Sequence, residues 1–288
     1  MRFLVTGAAG FLGWRSAVLL RERGHEVVAI TRPGGVERSF SRQLAPQAID
    51  AGGEQARSLV RGCDAVLHFA GLPDPTSAAR DPARAVRENA GTTLNLLEAC
   101  AEHAAGLVYP STVRAAVEPV PDAYALSKRL GELACELHGA PSTVVRCTSV
   151  FGPGQIAREG ATGAIAAFAA RALDGAPIVI PGDPSRTRDF LYVDDAVEAL
   201  EAIVRNRRWG ETIVLARGVA TSLIEAAELV RRAAGSSSPI ETPGGELPPG
   251  ENESYVVSER EEPRFDVRPL EEAISLYVDW LRAEAQRP

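Results

Sequence analysis

The chain has 288 residues, 45% of them hydrophobic, and a formal charge of −7. That apolar content suffices for one large domain or two packed ones, and the acidic balance argues against a general nucleic-acid binder. No apolar run reaches membrane-spanning length, and with a strand read from Arg2 no secretory leader is expected. Four scattered cysteines and four histidines show no ligand spacing, so the expectation is a cytoplasmic protein with buried thiols and no metal.

Arg2–Thr6 reads as a buried parallel strand. Gly7-Ala8-Ala9-Gly10-Phe11-Leu12-Gly13 follows at once, then a helix from Trp14 to Arg23 that Gly24 ends, and a second strand over 25–30. The glycine spacing suits a dinucleotide. Gly7 permits the tight turn, Gly10 lets backbone approach a pyrophosphate, and Gly13 allows close helix packing. The helix N-terminus then offers unpaired N–H groups to phosphate. A glycine triplet alone also fits an ordinary strand-to-helix turn, and it is the βαβ setting that points to a nucleotide. Where NAD-binding folds usually place an acid for the ribose 2′-hydroxyl, this chain has Thr31-Arg32, with Arg38 and Arg42 following. A guanidinium suits a 2′-phosphate, so NADP(H) is preferred, NAD(H) is possible, and a solvated basic loop is the plainer alternative.

Asp50 precedes Ala51-Gly52-Gly53 as a turn residue. A short helix runs through Val60, and a strand over 65–69 ends in Ala70-Gly71, small enough to let backbone pass beneath a cofactor. Asp81-Pro82 opens a long helix to about His103, in which Asn89 needs a partner, because mid-helix asparagine is otherwise unfavourable. The strand Gly106–Pro110 delivers Ser111-Thr112 to the carboxyl edge of the sheet, where open α/β sheets bind ligands. Tyr124 and Lys128 then share one face of a helix ending near Leu137. A lysine so placed can lower a phenol from about 10 towards working pH. A phenol so tuned can pass a proton to or from an alcohol or carbonyl oxygen.

After the strand beginning at Ser142 strict alternation stops, which suggests a smaller lobe. It contains a helix over 160–173, a strand over 177–180, a capping box Ser222–Glu225 opening a helix to about Ala233, a long loop over 235–253, and a closing helix over 270–285.

The glycine fingerprint, Ser111-Thr112 and the Tyr124/Lys128 pair together resemble the extended short-chain dehydrogenase/reductase family, which includes nucleotide-sugar epimerases, dehydratases and ketoreductases. The runs His68-Phe-Ala-Gly-Leu72, Asn89-Ala-Gly-Thr-Thr-Leu-Asn-Leu-Leu97 and Arg188-Asp-Phe-Leu-Tyr-Val-Asp-Asp195 resemble it too. The resemblance implies a Rossmann-type doubly wound parallel sheet over 1–155 and a small C-terminal α/β substrate lobe over 156–288, interleaved with the last sheet elements. It implies catalysis by Thr112, Tyr124 and Lys128, with Ser111 as the fallback hydroxyl. It places Gly7, Gly10, Phe11, Leu12, Gly13, Arg32, Asp50, Ala51, Phe69, Ala70, Gly71, Asn89, Tyr124, Lys128 and Thr148 at the cofactor. It places Ser111, Thr112, Ser149 and Arg188 at the substrate, although an ion pair with Asp189 or Asp194 competes for Arg188.

A homodimer through the helices around Asn89 and Tyr124 is expected from relatives. The chain departs from the family after Thr112, where the segment before the tyrosine is short. Family dehydratases follow that hydroxyl with an Asp-Glu pair, and decarboxylating members with a glutamate, whereas this chain has Val113-Arg114. The resulting expectation is an NADPH-dependent reduction of a keto group at C4 of a nucleotide-linked sugar. A nucleotide-sugar 4-epimerase and a non-catalytic NADP sensor are the alternatives.

Overall fold

The computed structural model describes residues 1–34, 44–157, 163–247, 254 and 266–286. Two compact units divide the chain, Met1–Cys147 with Val197–Val214, and Thr148–Ala196 with Leu215–Pro288.

The first unit holds β1 (Arg2–Thr6), α1 (Phe11–Glu22), β2 (Glu26–Thr31), β3 (Gln47–Ala48), α2 (Glu54–Val60), β4 (Ala65–His68), α3 (Pro75–Arg80), α4 (Pro82–Val86), α5 (Thr92–His103), β5 (Gly106–Thr112), α6 (Ala123–His138) and β6 (Ser142–Cys147). The seven-stranded sheet has the order β10-β6-β5-β4-β1-β2-β3, with β10 at Thr212–Leu215. The pairs from β3 to β6 are all parallel. Helices cover both faces, so the central strands read as unbroken apolar runs, and β4 and β5 are buried along their whole length. Strand order reverses between β1 and β4. Open α/β sheets bind ligands at the carboxyl ends of the strands flanking such a point.

The expected helix over 82–103 is interrupted. Asp74 caps α3 and Asp81 caps α4, each followed by proline at a first-turn position. A π turn over Arg87–Gly91 separates α4 from α5 and contains Asn89. Wider π geometry frees side chains from the regular ladder, and such turns are frequent at functional sites. α1 begins at Phe11, ahead of the expected Trp14, because Gly10 takes the cap position.

The second unit holds β7 (Ser149–Phe151), α7 (Ala164–Leu173), β8 (Ile178–Pro181), β9 (Thr187–Tyr192), β11 (Ala220–Ser222), α9 (Leu223–Ala233), β12 (Ile240–Gly244) and α10 (Leu270–Ala285). α8 (Val193–Arg205) begins there and runs on into the first unit. β11, β9 and β7 form one small sheet, and β12 pairs with β8 in another. Phe151 anchors the core edge-to-face against Phe190, Tyr192 and Tyr277. The capping box at Ser222–Glu225 forms as expected. The stretch read as a loop over 235–253 contains β12, a correction. That strand is mostly exposed and mixes Pro, Gly and Glu, so it shows no apolar period, and backbone pairing with β8 forms it. Residues 160–162 of the expected helix and 248–253 of that loop lie outside the described residues.

Candidate active site

The turn between β1 and α1 is closed by backbone. Gly7 has φ +65°, and a side chain on it would meet the Phe69 and Ala70 backbone at 2.7 Å. A Cβ on Gly13 would overlap the Gly7 carbonyl, so α1 packs as tightly as the glycine spacing predicts. Gly10 caps α1 with no side-chain acceptor, and no acid lies in the first turn. The positive end of that helix is therefore uncompensated, with its first N–H groups open to an anion such as a dinucleotide pyrophosphate. Phe11, Leu12 and Gly13 form that first turn.

The far wall of the turn is pinned from β4. Thr6 Oγ1 accepts from Ala70 N at 3.0 Å and meets His68 Nδ1 at 2.8 Å, while His68 Nε2 reaches Thr92 Oγ1 at 3.2 Å. Burial, helped by Lys128, pushes the His68 pKa down to about 3, so the ring is neutral. With Thr6 accepting from Ala70, the network assigns the ring proton to Nε2. Gly71 has φ +149° and lies against the Asn89 amide. Asn89 Oδ1 accepts from Leu72 N at 2.8 Å, and its Nδ2 donates to Leu72 O at 3.1 Å and Ser127 Oγ at 2.8 Å. The partner that Asn89 required is thus the loop after β4, which it ties to α6.

At the end of β2, Arg32 is 60% exposed, with Nη1 4.0 Å from Glu88 Oε1. Arg84 Nε holds the same oxygen at 2.5 Å. Arg38 and Arg42 lie outside the described residues. Asp50 Oδ1 accepts from Gly52 N at 3.0 Å, which is the turn role weighed for it, and the buried Ala51 accepts from Asn95 Nδ2 at 3.1 Å.

β5 delivers Ser111 and Thr112 to the sheet edge, both buried. Thr112 Oγ1 accepts from Arg114 N at 3.3 Å and caps a 3₁₀ turn over Val113–Ala116. Arg114 then pairs with Asp122, whose other oxygen caps α6 at Ala125 N, 2.8 Å away. This tether is what fills the short segment between Thr112 and Tyr124. Ser111 faces elsewhere, donating to Glu132 Oε1 at 2.6 Å.

Tyr124 and Lys128 lie one turn apart on α6, as the spacing predicts, yet their electrostatics differ from expectation. Burial drives the Tyr124 phenol above its ordinary value, Cys147, Asp122 and Asp74 add to the rise, and Arg114 is the cation opposing it. Lys128 instead donates from Nζ to Pro110 O at 2.9 Å and sits 4.9 Å from the Tyr109 ring centre. Burial lowers its own pKa to about 8. The amine still keeps most of its charge at neutral pH, and that charge is turned to the Pro110 carbonyl.

Sequence reasoning passed over Glu132, Arg146 and the Arg114–Asp122 pair. Glu132 accepts from Ser111, Arg129 and Arg146. One signal was available: Lys128 is the only lysine among 31 Lys and Arg residues.

In the second unit Thr148 Oγ1 donates to Asp189 Oδ1 at 3.0 Å. The Asp189 carboxylate also accepts from the backbone N–H groups of Arg217, Gly218 and Val219. Ser149 begins β7, and Arg188 on β9 donates to Thr187 O at 2.9 Å. Among the described residues no cluster of His, Cys, Asp and Glu suits a metal, and no helix is long and apolar enough to cross a membrane.

Residues 3–216 match the family model described as NAD dependent epimerase/dehydratase family. The UDP-N-acetyl-alpha-D-glucosaminuronate decarboxylase of Bacillus cytotoxicus is 29% identical over 83% of this chain and 82% of its own. The dTDP-glucose 4,6-dehydratase of Streptomyces griseus is 30% identical over 81% and 78%. The solved complex of Thermus thermophilus UDP-glucose 4-epimerase with NAD aligns at TM-score 0.79 and 27% identity, covering 98% of this chain and 99% of that one.

Proposed function

We propose that this chain, which belongs to the NAD dependent epimerase/dehydratase family, reduces a keto group, at C4, of a nucleotide-linked sugar with NADPH. Bound NADPH supplies the hydride. The chain's residues manage the oxygen: Tyr124 donates its phenolic proton as charge develops there, Thr112 orients it, and Lys128 holds the cofactor ribose. Gly7 to Gly13 and the open end of α1 take the pyrophosphate, and Arg32 takes the 2′-phosphate. Ser149 and Arg188 remain proposed substrate contacts, and Thr148 a proposed cofactor contact.

The observation carrying this reading is the segment after Thr112. Elimination of water needs an acid and a base beside the sugar, and the positions where family dehydratases carry them hold Val113 and Arg114. The arginine is tied to Asp122 and stays protonated. Reduction ranks above epimerisation because Arg32 suits NADPH, which a net reduction consumes, whereas an epimerase returns its hydride to the same cofactor.

Epimerisation with held NAD(P) is the second reading, favoured by the likeness to a UDP-glucose 4-epimerase solved with NAD. A non-catalytic NADP sensor would have no use for Thr112, Tyr124 and Lys128 together. A homodimer in the cytoplasm completes the proposal, supported by Leu94 on α5 and Leu126 and Leu137 on α6, which are exposed apolar residues.

Incubation with a nucleotide-4-keto-6-deoxyhexose and NADPH is the test, followed at the reduced-nicotinamide absorbance band. Stoichiometric NADPH oxidation is expected. Inversion of a nucleotide hexose at C4 without net oxidation would move the assignment to the second reading, and loss of water from a hexose would refute both.

A further inference from the structure

Glu132 lies one turn beyond Lys128 on α6, with its side chain only 4% exposed. Its carboxylate accepts four hydrogen bonds: Ser111 Oγ at 2.6 Å, Arg146 Nε at 3.0 Å, Arg146 Nη2 at 2.7 Å and Arg129 Nη1 at 2.9 Å. They come from β5, β6 and α6 itself. Ser111 precedes Thr112, and Lys128 Nζ bonds the carbonyl of Pro110, the residue before Ser111. One carboxylate therefore locks the strand end that carries Thr112 to the helix that carries Tyr124 and Lys128.

A buried ion pair is weak grounds for stability, because apolar packing can join a strand to a helix equally well. The charge has a neighbour that explains it. Lys128 is desolvated and faces Glu132 and Cys135 on α6, Cys147 on β6, the Tyr109 ring on β5 and neutral His68 on β4. Arg129 and Arg146 pair with Glu132. Burial opposes the charged amine, Cys147 and then Glu132 favour it, and Glu132 is the carboxylate among them.

We propose that Glu132 is a positioning residue of the reaction, fixing the Ser111–Thr112 strand end on α6 and keeping the Lys128 ammonium charged for its grip on the cofactor ribose. The last clause rests on the cofactor reading of Lys128 above, whereas the titration of the amine does not.

Because Lys128 is the sole lysine, protein grown on lysine labelled at Cε and Nζ carries one labelled side chain, whose NMR shift reports one titration. The wild-type midpoint is expected near pH 8. Glu132→Gln should move it down by about one unit, the effect of losing an opposite charge close by. Arg146→Gln should move it up, since a cation leaves and the carboxylate is freed. Glu132→Asp, which keeps the charge, should stay within about 0.3 unit of wild type. The shift in Arg146→Gln carries the test if the buried glutamine prevents folding.

NADPH affinity, read by nucleotide fluorescence, should fall as pH rises through the wild-type midpoint and begin to fall at lower pH in Glu132→Gln. Midpoints within about 0.2 unit of wild type in both Glu132→Gln and Arg146→Gln would overturn the role of Glu132. Shifted midpoints with pH-independent affinity would instead overturn the cofactor reading of Lys128, leaving the hold on the amine in place.

Discussion

Lys128 stands alone in a chain whose other basic side chains are arginines. Arginine cannot give up its proton, and its planar fork needs several acceptors, whereas an amine accepts burial by lowering its pKa. A site that buries a cation over Tyr109 against a single carbonyl is suited to the amine alone. Lys128 is turned to the strand through the Pro110 carbonyl, and the Arg114 guanidinium opposes the rise of the Tyr124 phenol. The Tyr124/Lys128 spacing showed which residues share a face. It did not show that Arg114, held on Asp122 in a turn outside the helix, also acts on the phenol.

In the proposed reading, cofactor choice turns on Arg32. With no acid at the end of β2 and its guanidinium 60% exposed, Arg32→Ala should weaken NADP binding by about 1.5 kcal/mol, the low end for a hydrogen bond to a charged group. NAD affinity should be almost unchanged. Titration calorimetry giving tighter NAD than NADP binding in the unmodified protein would contradict the NADP preference.

At the scale of elements, α6 holds its place through Gly131. A side chain there would overlap the Tyr109 hydroxyl, and Tyr109 is fully buried on β5. Gly131→Ala therefore sets two effects against each other. Helix propensity favours alanine by up to about 1 kcal/mol, and overpacking a rigid core costs about 1–3 kcal/mol. The overlap is with an aromatic ring that has nowhere to move, so destabilisation should win, seen as a lower urea midpoint. An unchanged or higher midpoint would mean that α6 is free to shift on β5.

Elements with end signals were legible in the sequence: the glycines around α1, the capping box of α9, and the buried runs of β4 and β5. The break over 81–91 was half-legible. Asn89 demanded a partner, but that partner is the distant loop at Leu72, and only the fold brings it close. β12 was illegible because an exposed strand carries no apolar period.

For the whole molecule, the parallel sheet and its switch between β1 and β4 follow from the βαβ pattern and the glycine fingerprint, and residues 3–216 match one family. The candidate site could be proposed from sequence wherever its residues cluster, as in Gly7–Gly13, Ser111-Thr112 and Tyr124…Lys128. It was illegible where one function is shared among distant positions. Ser111, Arg129, Glu132 and Arg146 meet only because β5, β6 and α6 pack together. In the proposed reading the segment after Thr112 carries the most functional weight, since Val113 and Arg114 there separate hydride transfer alone from hydride transfer with elimination.

The most direct measurement of that claim uses NADPH carrying deuterium at C4 of the nicotinamide, with a nucleotide-linked 4-keto sugar. Mass spectrometry and NMR of the product should find one deuterium at C4 of the sugar, with one NADP formed for each. Tyr124→Phe should slow its appearance by roughly 10²-fold or more, the usual loss of a general acid. A product without deuterium at C4, or label transfer as fast in Tyr124→Phe as in the unmodified protein, would contradict the account.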